Sequence, residues 1–409
     1  MRNIASGAIG NTLEWYDFAI YGYFARSIGQ LFFPKEDPVA QVLAAFGIFA
    51  IGYVMRPVGG VVIGYIGDRV SRRAALNVSI IAMAGSTFVI GVLPGYATIG
   101  VAAPILLTAC RMLQGLSVGG EYTTSLVFMV ESAPRGHRGL NGALGGCGAL
   151  LGILLGSATG ALLAAFMSAE DLQAWGWRIP FIFGLVIGLA GIVLRRNVTH
   201  AAKPTDDPEN PFLETLKTQR KVVLQIVALA ASASISFYLL FVYIVTWLEL
   251  VDNIPPEKSL VINTVSMVAL IPIQLVAGSV SDRIGRKPVL IAASIAAIVF
   301  SVPLFHGMYQ QSVLMIQLSQ LCFALIAGTY LGAMPAFMVE LPSSQVRSTT
   351  IALGYNLTAG IIGGFTPFAA SWLIHRTRDD ISPAYMLMAA AAISLAAILS
   401  MKESYRKAL

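Results

Sequence analysis

Apolar residues run along this chain in long blocks separated by short polar punctuation, and the blocks recur from one end to the other. A helix crossing a hydrocarbon layer of about 30 Å needs about 20 mostly apolar residues. Bounding the blocks by charges, Pro-Gly turns and polar clusters predicts twelve spans, at about 7–33, 39–66, 74–93, 99–132, 138–166, 176–195, 221–250, 258–280, 288–307, 311–341, 347–375 and 382–402. The expected fold class is an all-α membrane protein. One long polar stretch, Asn197 to Arg220, interrupts the series with Pro204, Pro208, Pro211, Asp206, Asp207 and Glu209. It reads as a linker (197–220) between a first bundle (1–196) and a second (221–409), and Phe212 to Arg220 fits a short amphipathic helix lying on the membrane surface.

Composition agrees with spans and excludes a water-soluble domain: 56% of residues are hydrophobic, 12% are charged and the mean hydropathy is +0.74, against roughly 25% charged in soluble domains. Glu14 and Asp17 interrupt the first apolar block, so it is expected to be a retained helix and not a cleavable signal. With both termini placed in the cytoplasm, nineteen of the 27 Lys and Arg residues fall on the inner side, six on the outer side, and Arg56 and Arg111 within the membrane. The net charge of +6 thus reports orientation in a cell inner membrane and gives no reason to invoke nucleic acid. Cys110, Cys147 and Cys322 stand singly and read as small core residues without metal-ligand spacing. Trp175, Trp177 and Arg178 read as interfacial anchors.

The chain repeats itself. Gly64-Tyr-Ile-Gly-Asp68-Arg69-Val-Ser-Arg72-Arg73 recurs as Gly278-Ser-Val-Ser-Asp282-Arg283-Ile-Gly-Arg286-Lys287, and Phe128-Met129-Val130-Glu131 recurs as Phe337-Met338-Val339-Glu340. Two motifs at nearly equal offsets, each at the same point of its half, mark a duplication of six helices. Parallel repeats of this kind place a substrate near the midplane between halves that rock around it. The loop motif has its own physics: Asp68 suits the positive end of a helix dipole from the other half, and Arg72 suits Glu131. Asp282, Arg286 and Glu340 are the counterparts, with Arg138 and Arg347 opening spans 5 and 11. These contacts read as a gate that closes one side; the plainer alternative is a set of topology anchors.

Charges inside spans cost about 2.5–3.5 kcal/mol each on insertion scales, so each needs a partner or a wet cavity. Arg111, Gln114, Val118, Glu121, Tyr122 and Ser125 share one helical face, as do Asn11, Glu14, Asp17 and Tyr21. At the repeat offset Arg111 corresponds to Gln320 and Glu121 to Tyr330, so ionisable chemistry is expected in the first half alone. Asp17 or Glu121, with Glu14 and Arg111 nearby, is the expected carrier of a coupling proton, the proton being the sole cofactor-like species implied. Arg111 is also the expected partner of a substrate carboxylate; a static salt bridge is the alternative. Arg56-Pro57 reads either as functional or as a kink in which Arg56 satisfies freed carbonyls. Tyr238 and Trp247 on span 7, Gln274 on span 8, Tyr330 on span 10, and Tyr355 and Asn356 on span 11 complete the candidate substrate wall, whose aromatic side suits a quaternary ammonium.

At these residues the chain resembles the major facilitator superfamily, whose signature Gly-x-x-x-Asp-Arg-x-Gly-Arg-Lys the second copy fits completely and the first fits except at Ser71. Four blocks narrow the resemblance to the metabolite/proton symporter group: Gly10-Asn11-x-x-Glu14-Trp15-Tyr16-Asp17-Phe18, Met55-Arg56-Pro57-x-Gly59-Gly60, Arg111-x-x-Gln114-Gly115-x-Ser117-x-Gly119-Gly120-Glu121-Tyr122, and Trp175-Gly176-Trp177-Arg178-Ile179-Pro180-Phe181. The resemblance implies the major facilitator fold and a monomer in the lipid bilayer. It implies proton-coupled uptake of a small organic acid or a zwitterion such as proline or betaine by a rocking movement. Proton-antiport efflux and uncoupled facilitation remain open, and a membrane-embedded transferase is a remote alternative, since no nucleophile, Walker or metal-ligand motif is present.

Overall fold

In lipid every backbone N–H and C=O must be paired within the protein, which leaves helices as the structure available to these apolar blocks. The computed structural model describes residues 2–34, 37–69, 72–117, 121–195 and 211–406, and among these every regular element is helical. They group into twelve passes. The first six are α1 (Arg2–Tyr23, continued by Ala25–Phe32), α2 (Pro38–Val54 and Arg56–Arg69), α3 (Arg72–Val92), α4 (Ala102–Ser117 and Glu121–Glu131), α5 (Arg138–Phe166) and α6 (Arg178–Arg195). The second six are α7 (Arg220–Leu250), α8 (Pro256–Ile284), α9 (Arg286–Met308), α10 (Val313–Glu340), α11 (Ser344–Thr377) and α12 (Ser382–Ser400). Among the described residues α2, α5 and α7 to α12 are long and apolar enough to cross a membrane on those grounds alone. The short helix Pro211–Thr218 occupies most of the stretch expected to lie on the surface; it packs on the start of α11, with Thr215 buried against Thr350.

The two halves meet along α5 and α8, α2 and α11, and α1 and the middle of α7. At Gly139 and Gly278 the α5 and α8 backbones touch: a Cβ on Gly278 would lie 2.7 Å from the Gly139 carbonyl oxygen. Small residues at such a crossing allow the closeness that dispersion forces in a membrane require. Two helices of the second half carry a widened π turn where they face the first, Leu239–Tyr243 in α7 and Thr358–Gly363 in α11.

Two expectations need correction here. Cys322 is exposed, and Cys110 and Cys147 are half-buried at the margin of the core, Cys110 packing against it. Trp177 is fully buried between Phe32 and Phe181 and is no interfacial anchor, while Trp175 is exposed. Arg178 reaches back to the end of α3, donating from Nη1 to the Gly91 and Leu93 carbonyls at 2.9 and 2.8 Å. It thereby satisfies two of the last carbonyls that a helix leaves unpaired.

Candidate functional site

Between the halves lies a chamber of about 40 Å³. Trp15 on α1 and Tyr122 on α4 face Phe237 and Tyr238 on α7 and Tyr355 on α11 across it. Trp15 is 5.7 Å from Phe237 and 6.3 Å from Tyr238, and Tyr122 stacks on Tyr355 at 4.9 Å, ring centre to ring centre. Gln274 closes one side and donates from Nε2 to the Ala143 carbonyl at 2.8 Å. The volume holds about three waters, less than any solute of amino-acid size occupies.

Behind the α1 side of this wall lie two charged groups, each with its guanidinium beside the Phe18 ring. In the first, Arg56 Nη2 donates to Glu14 Oε1 at 2.7 Å, both residues being buried. The helix break at Met55–Arg56 is present, but Arg56 turns to Glu14 and not to the freed carbonyls. Its guanidinium lies 5.3 Å from the Tyr53 ring and 5.9 Å from the Trp15 ring. In the second group, Arg111 Nη1 donates to Gln114 Oε1 at 2.7 Å. Gln114 Nε2 donates to Asp17 Oδ2 at 2.5 Å, and Thr87 Oγ1 donates to Asp17 Oδ1 at 2.5 Å. Arg111 is fully buried over the Tyr21 ring (4.3 Å) and the Phe18 ring (4.8 Å). This depth follows from close contact of α2 and α4, where Gly52 and Gly115 meet backbone to backbone. Among the described residues, Arg56 Nε and Nη1, Arg111 Nε and Nη2 and Trp15 Nε1 have no hydrogen-bond partner, and the hydroxyls of Tyr53 and Tyr238 have none but each other. Buried polar groups are ordinarily paired, so this concentration of donors makes the region a candidate site for an acceptor-rich guest.

The remaining candidate residues are distributed as follows. Tyr21 donates its hydroxyl to the Ala45 carbonyl, and Tyr330 donates its own to the Leu229 carbonyl, both away from the chamber. Trp247 packs edge-on to Phe305 and donates to the Asp380 carbonyl, near the end of the second bundle. Asn356 is half-buried on α11. The side chain of Glu121, like those of Asp68, Arg69 and Arg72 and the surroundings of Gly64, lies outside the described residues.

At the end of the molecule where α6 stops and α7 begins, here the linker end, charges bridge the halves. Asp282 accepts from the backbone N–H groups of Gly139 and Leu140, at 2.7 and 3.0 Å, at the start of α5. Arg286 donates to Asp282 at 2.8 Å and to Glu340 at 3.0 Å. Gly285, with φ +103, supplies the left-handed turn that brings Arg286 into line. Arg347 is paired with Glu131. Arg138 is half-buried beside this group, Arg283 is exposed, and Glu340 also accepts from Ser404 at 2.7 Å. The opposite end is tied as well: Tyr23 donates to the Phe241 carbonyl at 2.9 Å, Asn263 to Ser157 at 3.2 Å, and Arg26 stands 3.9 Å from Glu249.

Glu249 corrects the expectation that ionisable chemistry is confined to the first half, since this buried carboxylate is on α7. It reads in sequence as a span boundary, and the signal to find it was its place before the apolar residues Leu250 and Val251, with Arg26 standing opposite. Thr87 was also missed, because a single hydroxyl in an apolar run carries no pattern of its own.

The sequence matches the Major Facilitator Superfamily over residues 18–359. Over its whole length the chain is 33% identical to the proline/betaine transporter of Salmonella typhimurium, covering 84% of that protein. It is 34% identical, again over its whole length and 84% of the relative, to the glycine betaine/proline/ectoine/pipecolic acid transporter OusA of Dickeya dadantii. Among solved structures it is similar in fold to a partially occluded, inward-open form of the xylose transporter XylE from E. coli, with TM-score 0.76, 17% identity, and coverage of 99% of this chain and 98% of that one. Duplicated loop motif, twelve helical passes and full-length relatives agree: the chain belongs to the major facilitator superfamily and is a multi-pass membrane transporter of small molecules.

Proposed function

We propose that this transporter takes up a small zwitterion of the proline or betaine kind together with a proton. The observation that carries the reading is the chamber between the halves, where aromatic rings from both sides surround a space backed by buried donors that have no partner among the described residues. Rings attract a quaternary or secondary ammonium through their faces. Guanidinium, indole N–H and phenol groups bind a carboxylate. A zwitterion presents both ends, and the names of the full-length relatives support that class.

The coupling site in this reading is the second buried group, in which Asp17 carries the proton. Its two carboxylate oxygens are held by Thr87 and Gln114, and Arg111 reaches it through Gln114. Protonation removes a charge that is costly to carry through the closed core, and Arg111 then becomes the uncompensated charge that recruits the next deprotonation. Glu121, ten residues after Arg111 in the sequence, is a second candidate carrier. Alternating access follows from loosening one set of ties at a time: the Asp282, Arg286 and Arg347 contacts at the linker end, which faces the cytoplasm together with both termini, or the Tyr23, Asn263 and Arg26 contacts opposite.

Uptake of radiolabelled proline and glycine betaine into proteoliposomes tests the reading. An imposed inward proton gradient is expected to raise accumulation of at least one of them above the level reached without a gradient. Accumulation that ignores the gradient for both solutes contradicts it.

A further inference from the structure

We infer that Arg56, held in place by Glu14, receives the carboxylate of the substrate, and that Arg111 does not; this rests on the zwitterion reading above and divides the two buried arginines between two tasks. Their surroundings differ in one respect. Arg56 lies against Trp15, which lines the chamber, and against Tyr53, whose ring stands 5.3 Å from that of Tyr238, another lining residue. The rings closest to Arg111 are Tyr21, Phe18 and Phe49, none of which lines the chamber. Arg56 is therefore one ring layer from the substrate, while Arg111 is sealed within the first bundle and engaged with Gln114 and Asp17.

The groups around Arg56 complete an anion receptor. Its Nε and Nη1 atoms and the Trp15 indole N–H are buried with no hydrogen-bond partner among the described residues, and the hydroxyls of Tyr53 and Tyr238, which meet only each other, can also donate. Glu14 on Nη2 balances the guanidinium charge and fixes its direction, leaving Nη1 to the guest. The chamber is too small for the solute as it stands, so the Trp15 and Tyr238 rings, 6.3 Å apart, must part for a carboxylate to reach Nη1. The ammonium end then remains among Tyr122, Phe237 and Tyr355. A solute with the ammonium but no carboxylate leaves these donors unpaired. Selectivity for the zwitterion over such an analogue is accordingly a property of Arg56.

Calorimetric titration of the purified full chain with glycine betaine, choline and succinate tests this. Wild-type protein is expected to bind betaine in preference to choline. R56Q is expected to lose about tenfold or more in betaine affinity while choline affinity changes by less than about twofold, and R56K to recover part of the loss. R111Q is expected to lower the betaine preference by much less than R56Q does. Should R56Q not fold, the E14Q/R56Q protein removes both charges together and carries the same expectation. A betaine preference that survives in the Arg56 variants, one that disappears in R111Q instead, or a wild type that binds choline and betaine equally overturns the inference. A wild type that binds succinate and not betaine overturns the zwitterion reading alone; the R56Q and R111Q comparison on succinate then decides the role of Arg56.

Discussion

Asp17 shows what a single buried residue contributes. It is held by two side-chain donors at 2.5 Å and connected to Arg111 by one of them, an arrangement that ties its charge to α3 and α4 at once. Asp17→Asn keeps the shape and removes the titration. For one proton per solute, each pH unit of gradient supports about tenfold accumulation. The variant is expected to retain exchange of labelled for unlabelled solute across proteoliposomes and to lose the gradient-driven part entirely; full gradient-driven accumulation in both Asp17→Asn and Glu121→Gln would remove the carboxylates from the coupling account. At this scale the sequence was read best where charge falls in an apolar run, as at Glu14, Asp17, Arg56 and Arg111, because the cost of burial makes such residues stand out. It was read poorly where a residue's role depends on what crosses the bundle from elsewhere. Trp177 becomes core only because Phe32 and Phe181 close over it. Thr87 matters only because α1 places Asp17 opposite it.

Helix ends and helix crossings are the next scale, and there the linker-end contacts differ in weight. The Arg347–Glu131 pair has one partner 43% exposed, and exposed pairs contribute about 0.2–1 kcal/mol. Asp282 is half-buried, accepts two backbone N–H groups at the start of α5 and pairs with Arg286. A carboxylate at a partly buried helix N-terminus is worth up to about 2 kcal/mol. Asp282→Asn is therefore expected to slow transport severalfold more than Glu131→Gln; stopped-flow uptake measured on both variants checks the order, and equal effects would make the contact a topology anchor. The repeat in the sequence pointed to Asp282, Arg286 and Glu340 as one group, and they do meet. It gave no sign that Ser404 and Glu403 reach the same place, the first to Glu340 and the second to the N–H groups of Arg286 and Lys287.

Taken whole, the molecule is two six-helix halves tied to each other at both ends around a contracted chamber. Self-similarity in the sequence made that plan legible, since only a duplication places two charged loop motifs at matching points. The unequal chemistry of the halves was legible in part. Two buried arginines and their acids sit in the core of the first half, but the second half has buried charges of its own, Arg286 with Glu340 at the linker end and Glu249 on α7 facing Arg26. The contact lies across the interface, where a repeat-based reading sees each half only in terms of itself. The central claim, that solute and proton move inward together, has a direct test. Proteoliposomes loaded with a pH-sensitive dye are held without any imposed gradient, and proline or glycine betaine is added outside while internal pH is recorded. Cotransport predicts that the interior acidifies on addition, and that Asp17→Asn vesicles show no change. Alkalinisation, or solute entry with no proton movement in the unmodified protein, would contradict it.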